Sequence, residues 1–182
     1  MQNRRDNTSK PLLPATPRPM TEADLDAVLA VQAACYPPSM QEPADIVLAR
    51  LRAARDSCLV ACDGEGVCAY VFAYASRRGA VTPLDAAFRP AADADTLYIH
   101  DMAVAPRALG QGLARRLAGS LLEHGRTRGL AWSALVAVQD SRRFWEGLGF
   151  AVHGLESGGQ GARALLSYPD GALYMARALH GG

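Results

Sequence analysis

The segment Arg107-Ala108-Leu109-Gly110-Gln111-Gly112-Leu113-Ala114 has the form Arg-x-x-Gly-x-Gly. It follows a strand-like run and opens a helix-like one. The first N–H groups of a helix have no intrahelical partner, and the helix dipole puts partial positive charge at the same end. Such an end receives anions, phosphate above all. Gly110 and Gly112 carry no side chain, so a phosphate can approach those N–H groups closely. Arg107 adds a cation suited to phosphate. The pattern points to a pyrophosphate-bearing cofactor. Two rival phosphate motifs are excluded. The chain has no Gly-x4-Gly-Lys-Ser/Thr, and Arg115 stands where the dinucleotide fingerprint requires its third glycine.

The elements around the motif follow from periodicity and punctuation. Residues 1–17 are polar and proline-rich and read as a mobile tail ahead of one domain spanning 18–182. Residues 18–20 read as a short strand. Thr21 reads as an N-cap, followed by a helix with Leu25, Val28 and Leu29 on one face, ending before Pro37-Pro38. Pro43 opens a second helix that runs to about Arg55. Cys58–Cys62 and Val67–Ser76 read as strands around the turn Asp63-Gly64-Glu65-Gly66. Residues 77–95 read as a long loop, a length often tied to function. Thr96–Val104 is a strand. Leu113–Arg128 is a helix with Leu113, Leu117 and Leu121 as its stripe and Gly129 at its end. Leu130–Val138 is apolar almost throughout, as a strand covered on both faces would be. Asp140 is expected to cap a short helix bearing Phe144 and Leu148. Phe150–His153 and Leu173–Leu179 complete the strands. The order β-α-α-β-β-β-α-β-α-β-β argues an α/β fold with a mixed sheet.

Composition narrows the class. A chain of 182 residues with 49 % apolar and 20 % charged residues suits one domain with a substantial core. A net charge of +1 gives no reason to expect nucleic acid or an anionic membrane as partner. No apolar run reaches the length of about 18 residues that a membrane span needs. No apolar segment follows Arg4 and Arg5, so no signal peptide is visible. Cys35, Cys58, Cys62 and Cys68 fit no zinc spacing, and no metal site is expected. Free thiols suit a reducing cytoplasm.

Three stretches together carry a family likeness: Leu97-Tyr98-Ile99-His100-Asp101-Met102-Ala103-Val104, then Arg107-x-x-Gly110-x-Gly112, then Ser141-Arg142-Arg143-Phe144-Trp145-Glu146-Gly147-Leu148-Gly149-Phe150. They resemble the GNAT superfamily of acyl-CoA-dependent N-acetyltransferases, in order and in approximate spacing. His100 and Tyr98 look most like the arylalkylamine-type members. The resemblance implies the GNAT fold: a mixed, mostly antiparallel sheet, splayed at the cofactor site and flanked by helices. It also implies acetyl-CoA as cofactor. Backbone from Gly110, Gln111, Gly112, Leu113 and Ala114 would hold the pyrophosphate, with Arg107 and Leu109 flanking. Backbone of Met102, Ala103 and Val104 would bond the pantetheine arm, and an N–H of Met102 or Ala103 would polarise the thioester carbonyl. Phe144 and Trp145 would wall the cofactor groove, and Ser141 would add a hydrogen bond.

Acetyl transfer to an amine requires a neutral nucleophile. An alkylammonium has a pKa of about 10, so it must lose a proton first. His100, with a reference pKa of about 6.5, is the first candidate base, and Asp101 the second. In a regular strand Tyr98, His100 and Met102 share one face, and Ile99, Asp101 and Ala103 the other. Only one of the two candidates is therefore expected to face the substrate. Trp145 departs from the family, which often has a tyrosine there to protonate the departing sulfur. A CoA thiol has a pKa near that of cysteine, about 8.5, so a thiolate can leave without full protonation. Tyr98, Tyr168, Tyr174 or water are the other sources of a proton.

The acceptor pocket is expected between the loop after the first helix, the loop 77–95 and the segment 155–170. Tyr36, Phe88, Tyr98 and Tyr168 are its candidate walls. The expected partner is a small-molecule amine. A peptide or protein amine, and a non-catalytic acyl-CoA sensor, stand as alternatives. A homodimer is left open.

Overall fold

Alternation in the central strands sorts the core into two layers, one on each side of a single sheet. The computed structural model describes residues 16–180, so nearly all of the expected N-terminal tail lies outside them. Seven strands form the sheet: β1 (Arg18–Pro19), β2 (Cys58–Asp63), β3 (Gly66–Ser76), β4 (Thr96–Val104), β5 (Trp132–Ala137), β6 (Ala151–Val152) and β7 (Leu173–Ala178). Their spatial order is β1-β2-β3-β4-β5-β7-β6. Every pairing is antiparallel except β4 with β5. Five helices accompany them: α1 (Leu25–Cys35), α2 (Ala44–Ala53), α3 (Leu113–Thr127), α4 (Arg142–Glu146) and α5 (Gln160–Leu165).

On one side, α1 and α2 cover Tyr70, Phe72, Tyr74 and Tyr98 with Val28, Val31, Val47 and Leu51. On the other, α3 sets Leu113, Leu117, Leu121 and Leu122 against Val71, Leu97, Ile99 and Leu135. These side chains are fully or almost fully buried, so each contributes about 1.5–3 kcal/mol of transfer free energy. Among the described residues no helix is long and apolar enough to cross a membrane.

The expected elements form, with three corrections. Thr21 does head the first helical segment, in a reciprocal cap with Asp24. That cap encloses a 3-10 turn over Glu22–Asp24, and α1 proper begins at Leu25. Asp140 does not cap α4. Val138–Ser141 is a tight turn in which Gln139 and Asp140 both take positive φ (51° and 58°) and the Ser141 N–H bonds the Val138 carbonyl at 3.0 Å. Ser141 is the residue preceding α4. Helix α5 was not expected. Its Gly161 lies directly against the Gly79 carbonyl, leaving no room for a Cβ, so the alanine- and glycine-rich segment is helical because it packs on the loop 77–95.

Two irregularities shape the middle of the sheet. Pairing between β4 and β5 stops at Ile99 opposite Leu135, although both strands continue. From His100 onward β4 has no strand neighbour on that side, and the sheet opens into a V. At the same level the β3–β4 register slips: Ala73 pairs with Ile99 but Phe72 pairs with Asp101. His100 is the extra residue of a β-bulge.

Candidate active site

The V between β4 and β5 encloses a cavity of about 170 Å³ lined by Tyr36, His100, Asp101, Met102, Ala114, Ser141, Phe144 and Trp145 among others. Met102, Ala103 and Val104 lie on the open edge of β4. Buried backbone polar groups require partners; Tyr36 and Cys35 serve the Met102 and Val104 carbonyls, and the rest of this edge can take a ligand. The pantetheine arm of CoA, with its amides, is such a ligand. Trp145 is buried and packs edge-on against Phe144 and Phe150, with ring centres 4.9 and 5.4 Å apart. It stands in the cavity wall, where indole serves as surface and supplies no acid.

The candidate phosphate cradle lies at the start of α3. Gly110 and Gly112 have φ of 77° and 72°, and nothing lies within 4 Å of where a Cβ would stand on either. This left-handed conformation is cheap only for glycine. Gly112 is the N-cap of α3, and no side chain caps the helix. The first-turn N–H groups of Leu113 and Ala114 therefore stay available to an anion. Leu109 is exposed at the rim. A pyrophosphate fits this arrangement.

Arg107 is engaged elsewhere. Its guanidinium pairs with Asp63 at 3.1 Å and Glu65 at 3.4 Å and donates to the Val67 carbonyl at 3.0 Å, which ties it to the β2–β3 turn. Arg115 and Arg116 lie in the first turn of α3. Arg116 bonds the Gln111 carbonyl at 3.1 Å, and Arg115 lies over the Phe144 ring.

The bulge overturns the expectation that His100 and Asp101 face opposite ways. Before it, Tyr98 faces the α1–α2 layer. After it, Ala103 does so, five residues on instead of an even number. Both His100 and Asp101 therefore project to the α1–α2 side. Asp101 accepts hydrogen bonds from Tyr36 Oη at 2.7 Å and Tyr70 Oη at 2.6 Å. Burial lifts its proton affinity above that of an ordinary carboxylate, and the two phenols offset only part of the rise. Tyr36 also donates to the Met102 carbonyl at 3.1 Å, joining the end of α1 to the open edge of β4. Burial raises the Tyr36 and Tyr70 phenols well above their usual range, so both remain donors.

His100 lies deeper, with only 1 % of its side chain exposed. Its Nε2 is 3.4 Å from Glu42 Oε1 and its Nδ1 3.4 Å from Tyr168 Oη. Glu42 bonds Arg50 through both oxygens. Burial opposes ionisation of Glu42, but the bonds to His100 and Arg50 prevail and hold its pKa at about 2. Nothing in the sequence singled out Glu42, Arg50 or Tyr70. Their signal is a burial pattern that exists only after folding.

The candidate acceptor walls divide. Tyr36 reaches the cavity. Tyr98 is fully buried. Phe88 is buried too, stacked on Tyr74 with ring centres 4.4 Å apart and beneath the Arg50 guanidinium. Tyr168 donates to the Thr82 carbonyl at 2.7 Å. Tyr174 accepts from the Gly79 N–H at 2.8 Å. A groove of about 530 Å³ adjoins this cavity, sharing Val138, Gln139 and Ser141 with it. Pro37, Ser39 and Met40 form one wall, and residues 169–173 form another. Among the described residues no aromatic side chain lines it.

The profile of the Acetyltransferase (GNAT) family matches residues 25–150, and the chain belongs to that family. Membership brings acyl-CoA-dependent acetyl transfer and an acyl-CoA site. Known structures share the architecture. Ard1 from Thermoplasma volcanium is 18 % identical with a TM-score of 0.69, over 93 % of this chain and 100 % of that one. The GphF GNAT-like decarboxylase in complex with isobutyryl-CoA is 18 % identical with a TM-score of 0.74, over 90 % and 99 %. N-acetylglutamate synthase from Neisseria gonorrhoeae, complexed with coenzyme A and N-acetyl-glutamate, is 14 % identical with a TM-score of 0.63, over 92 % of this chain and 35 % of that one. At such identities the likeness is one of fold. No curated protein sequence matches the chain. The finer likeness to arylalkylamine-type enzymes finds no support in these matches; of the candidate acceptor walls, Tyr98 and Phe88 are buried.

Proposed function

We propose that the chain is an acetyl-CoA-dependent N-acetyltransferase acting on a primary amine of a small, non-aromatic molecule. The observation that supports this is the bulge, through which Asp101 and His100 project together from the α1–α2 face of β4 beside the V. Acetyl-CoA, when bound, supplies an activated acyl group. Backbone at Gly110–Ala114 would hold its pyrophosphate, and the free edge of Met102–Val104 its pantetheine arm. A main-chain N–H of Met102 or Ala103 would polarise the thioester carbonyl. Asp101 takes the proton from the ammonium, either directly or through one water. Its raised proton affinity suits that role, because a base works best with a pKa near the operating pH. His100, with its ring enclosed, acts from behind Asp101.

The loop 77–95 favours a small acceptor over a protein. It folds onto the segment after α5, with the Leu84 N–H bonded to Ser167 Oγ at 3.0 Å and Tyr168 bonded to Thr82. This closes the His100 side and leaves the groove beside Val138–Ser141 as the way in. The test is acetyl-CoA-dependent thiol release against arylalkylamines, polyamines, aminoglycosides, amino acids and N-terminal peptides. Turnover on a compact non-aromatic amine supports the reading. Turnover confined to peptides, or saturable acetyl-CoA binding with no turnover, overturns it.

A further inference from the structure

Acetyl transfer leaves a thiolate that must end as a thiol. Trp145 has no acid to supply. Of the tyrosines weighed for that task, Tyr98 is enclosed in the core, Tyr168 gives its proton to the Thr82 carbonyl, and Tyr174 is engaged by the Gly79 N–H. None of the three lines the cavity of the V. Among the described residues Tyr36 is the one tyrosine that does, beside Met102 and Trp145.

Tyr36 also touches the candidate base. A phenol holds one proton, and Tyr36 Oη has two acceptors in reach: Asp101 Oδ1 at 2.7 Å and the Met102 carbonyl at 3.1 Å. Tyr70 donates to the other carboxylate oxygen, Oδ2, at 2.6 Å. A proton arriving on Asp101 therefore belongs on Oδ1, the oxygen that meets Tyr36. Protonated there, Asp101 turns from acceptor to donor, and its bond to Tyr36 reverses. The Tyr36 O–H is then free to turn toward the open edge of β4, where Met102 lies.

We propose that Tyr36 is a catalytic residue that hands the proton taken by Asp101 on to the departing sulfur, so that base and acid form one relay. This rests on Asp101 as the proton acceptor and on acetyl-CoA in the V. An ammonium acceptor sheds two protons in becoming an amide. Asp101 takes the first, and the freed nitrogen lone pair forms the C–N bond. The C–S bond breaks and its electron pair stays on sulfur. Asp101 gives its proton to Tyr36 Oη as Tyr36 gives its own to sulfur. Asp101, ionised again, takes the second proton from nitrogen and yields it to water. Tyr36 begins and ends as a phenol. Burial makes its phenolate costly, and the relay never forms one.

The first test reads contact without turnover. The full-length protein carries tyrosine labelled with 13C at Cζ, assigned with Y36F and Y70F, and is titrated with CoA and with desulfo-CoA. The Tyr36 signal should move differently with the two ligands, because only one carries the sulfur. Equal movement overturns the proposal. The second test is kinetic. Y36F and Y70F each remove one donor from Asp101, but only Tyr36 lines the cavity. On the high-pH plateau, where Asp101 is ionised in both variants, kcat of Y36F should lie at least about tenfold below that of Y70F. Equal values overturn the proposal. D101N separates this from the reading beneath it. Full activity in D101N removes Asp101 as base, while the two CoA titrations still report whether Tyr36 meets the sulfur.

Discussion

His100 and Asp101 are consecutive in the chain and project from the same face of β4, because the strand carries one residue more than β3 between Ile99 and Asp101. Alternation would have separated them. The bulge aligns an imidazole and a carboxylate behind one opening, with Tyr36 and Tyr70 donating to the carboxylate.

If Asp101 takes the amine proton, D101N should lower kcat by a factor of about 10²–10⁴, the usual contribution of a general base. The KM for acetyl-CoA should hardly change, because the phosphate cradle lies elsewhere. Steady-state kinetics on the best acceptor checks this. A kcat within about threefold of native would remove Asp101 from the reaction.

The phenols on Asp101 set a pH dependence. Their hydrogen bonds favour the carboxylate, and burial disfavours it. Removing a donor in Y36F or Y70F should raise the Asp101 pKa further. A base is active only when deprotonated, so the acidic limb of kcat/KM should move to higher pH. Hydrogen bonds to charged groups contribute about 1.5–3 kcal/mol, which corresponds to about one to two pH units. A limb that stays in place in both variants would contradict the assignment.

Gly112 is tested by valine. Its φ of 72° is costly for a β-branched residue, and the new side chain would stand in the open cradle. G112V should weaken acetyl-CoA binding at least about tenfold by calorimetry, while losing about 1–2 kcal/mol of stability. Undiminished binding would place the pyrophosphate elsewhere.

Glu42 links the site to acid stability. Its pKa in the fold is about 2, below its ordinary 4.5. The carboxylate therefore stabilises the fold above pH 4.5, and that contribution is lost as pH falls toward 2. Urea denaturation at pH 6 and pH 3 should show a smaller acid-induced loss in E42Q than in the native chain. Equal losses would mean that other carboxylates dominate.

Most of the architecture was legible because it rests on local rules. Leu113, Leu117 and Leu121 fall at helical spacing, Asp63–Gly66 turns the hairpin, and Gly110 and Gly112 take the left-handed backbone their motif required. Helix α5 was missed because its alanines and glycines carry almost no periodic signal, and its packing partner, Gly79, lies far back in the chain. The motif, the chemistry of arginine and the resemblance all point Arg107 at phosphate. Folding placed Asp63 and Glu65 within reach of it and left Arg115 and Arg116 at the mouth of α3.

By itself, the order of residues determined the strands and helices, the glycine-rich turn ahead of α3, and the presence of His100 and Asp101 on the strand before it. Each of these follows from side-chain period, turn chemistry or the conformational range of glycine, properties that act over a few residues. Only the tertiary structure decided which way those two side chains point, because a bulge is a relation between two strands. It alone placed Glu42 and Arg50 behind His100, and withdrew Tyr98 and Phe88 into the core. Those contacts join segments dozens of residues apart, and they are set by which surfaces can be buried together, a choice that no local pattern records.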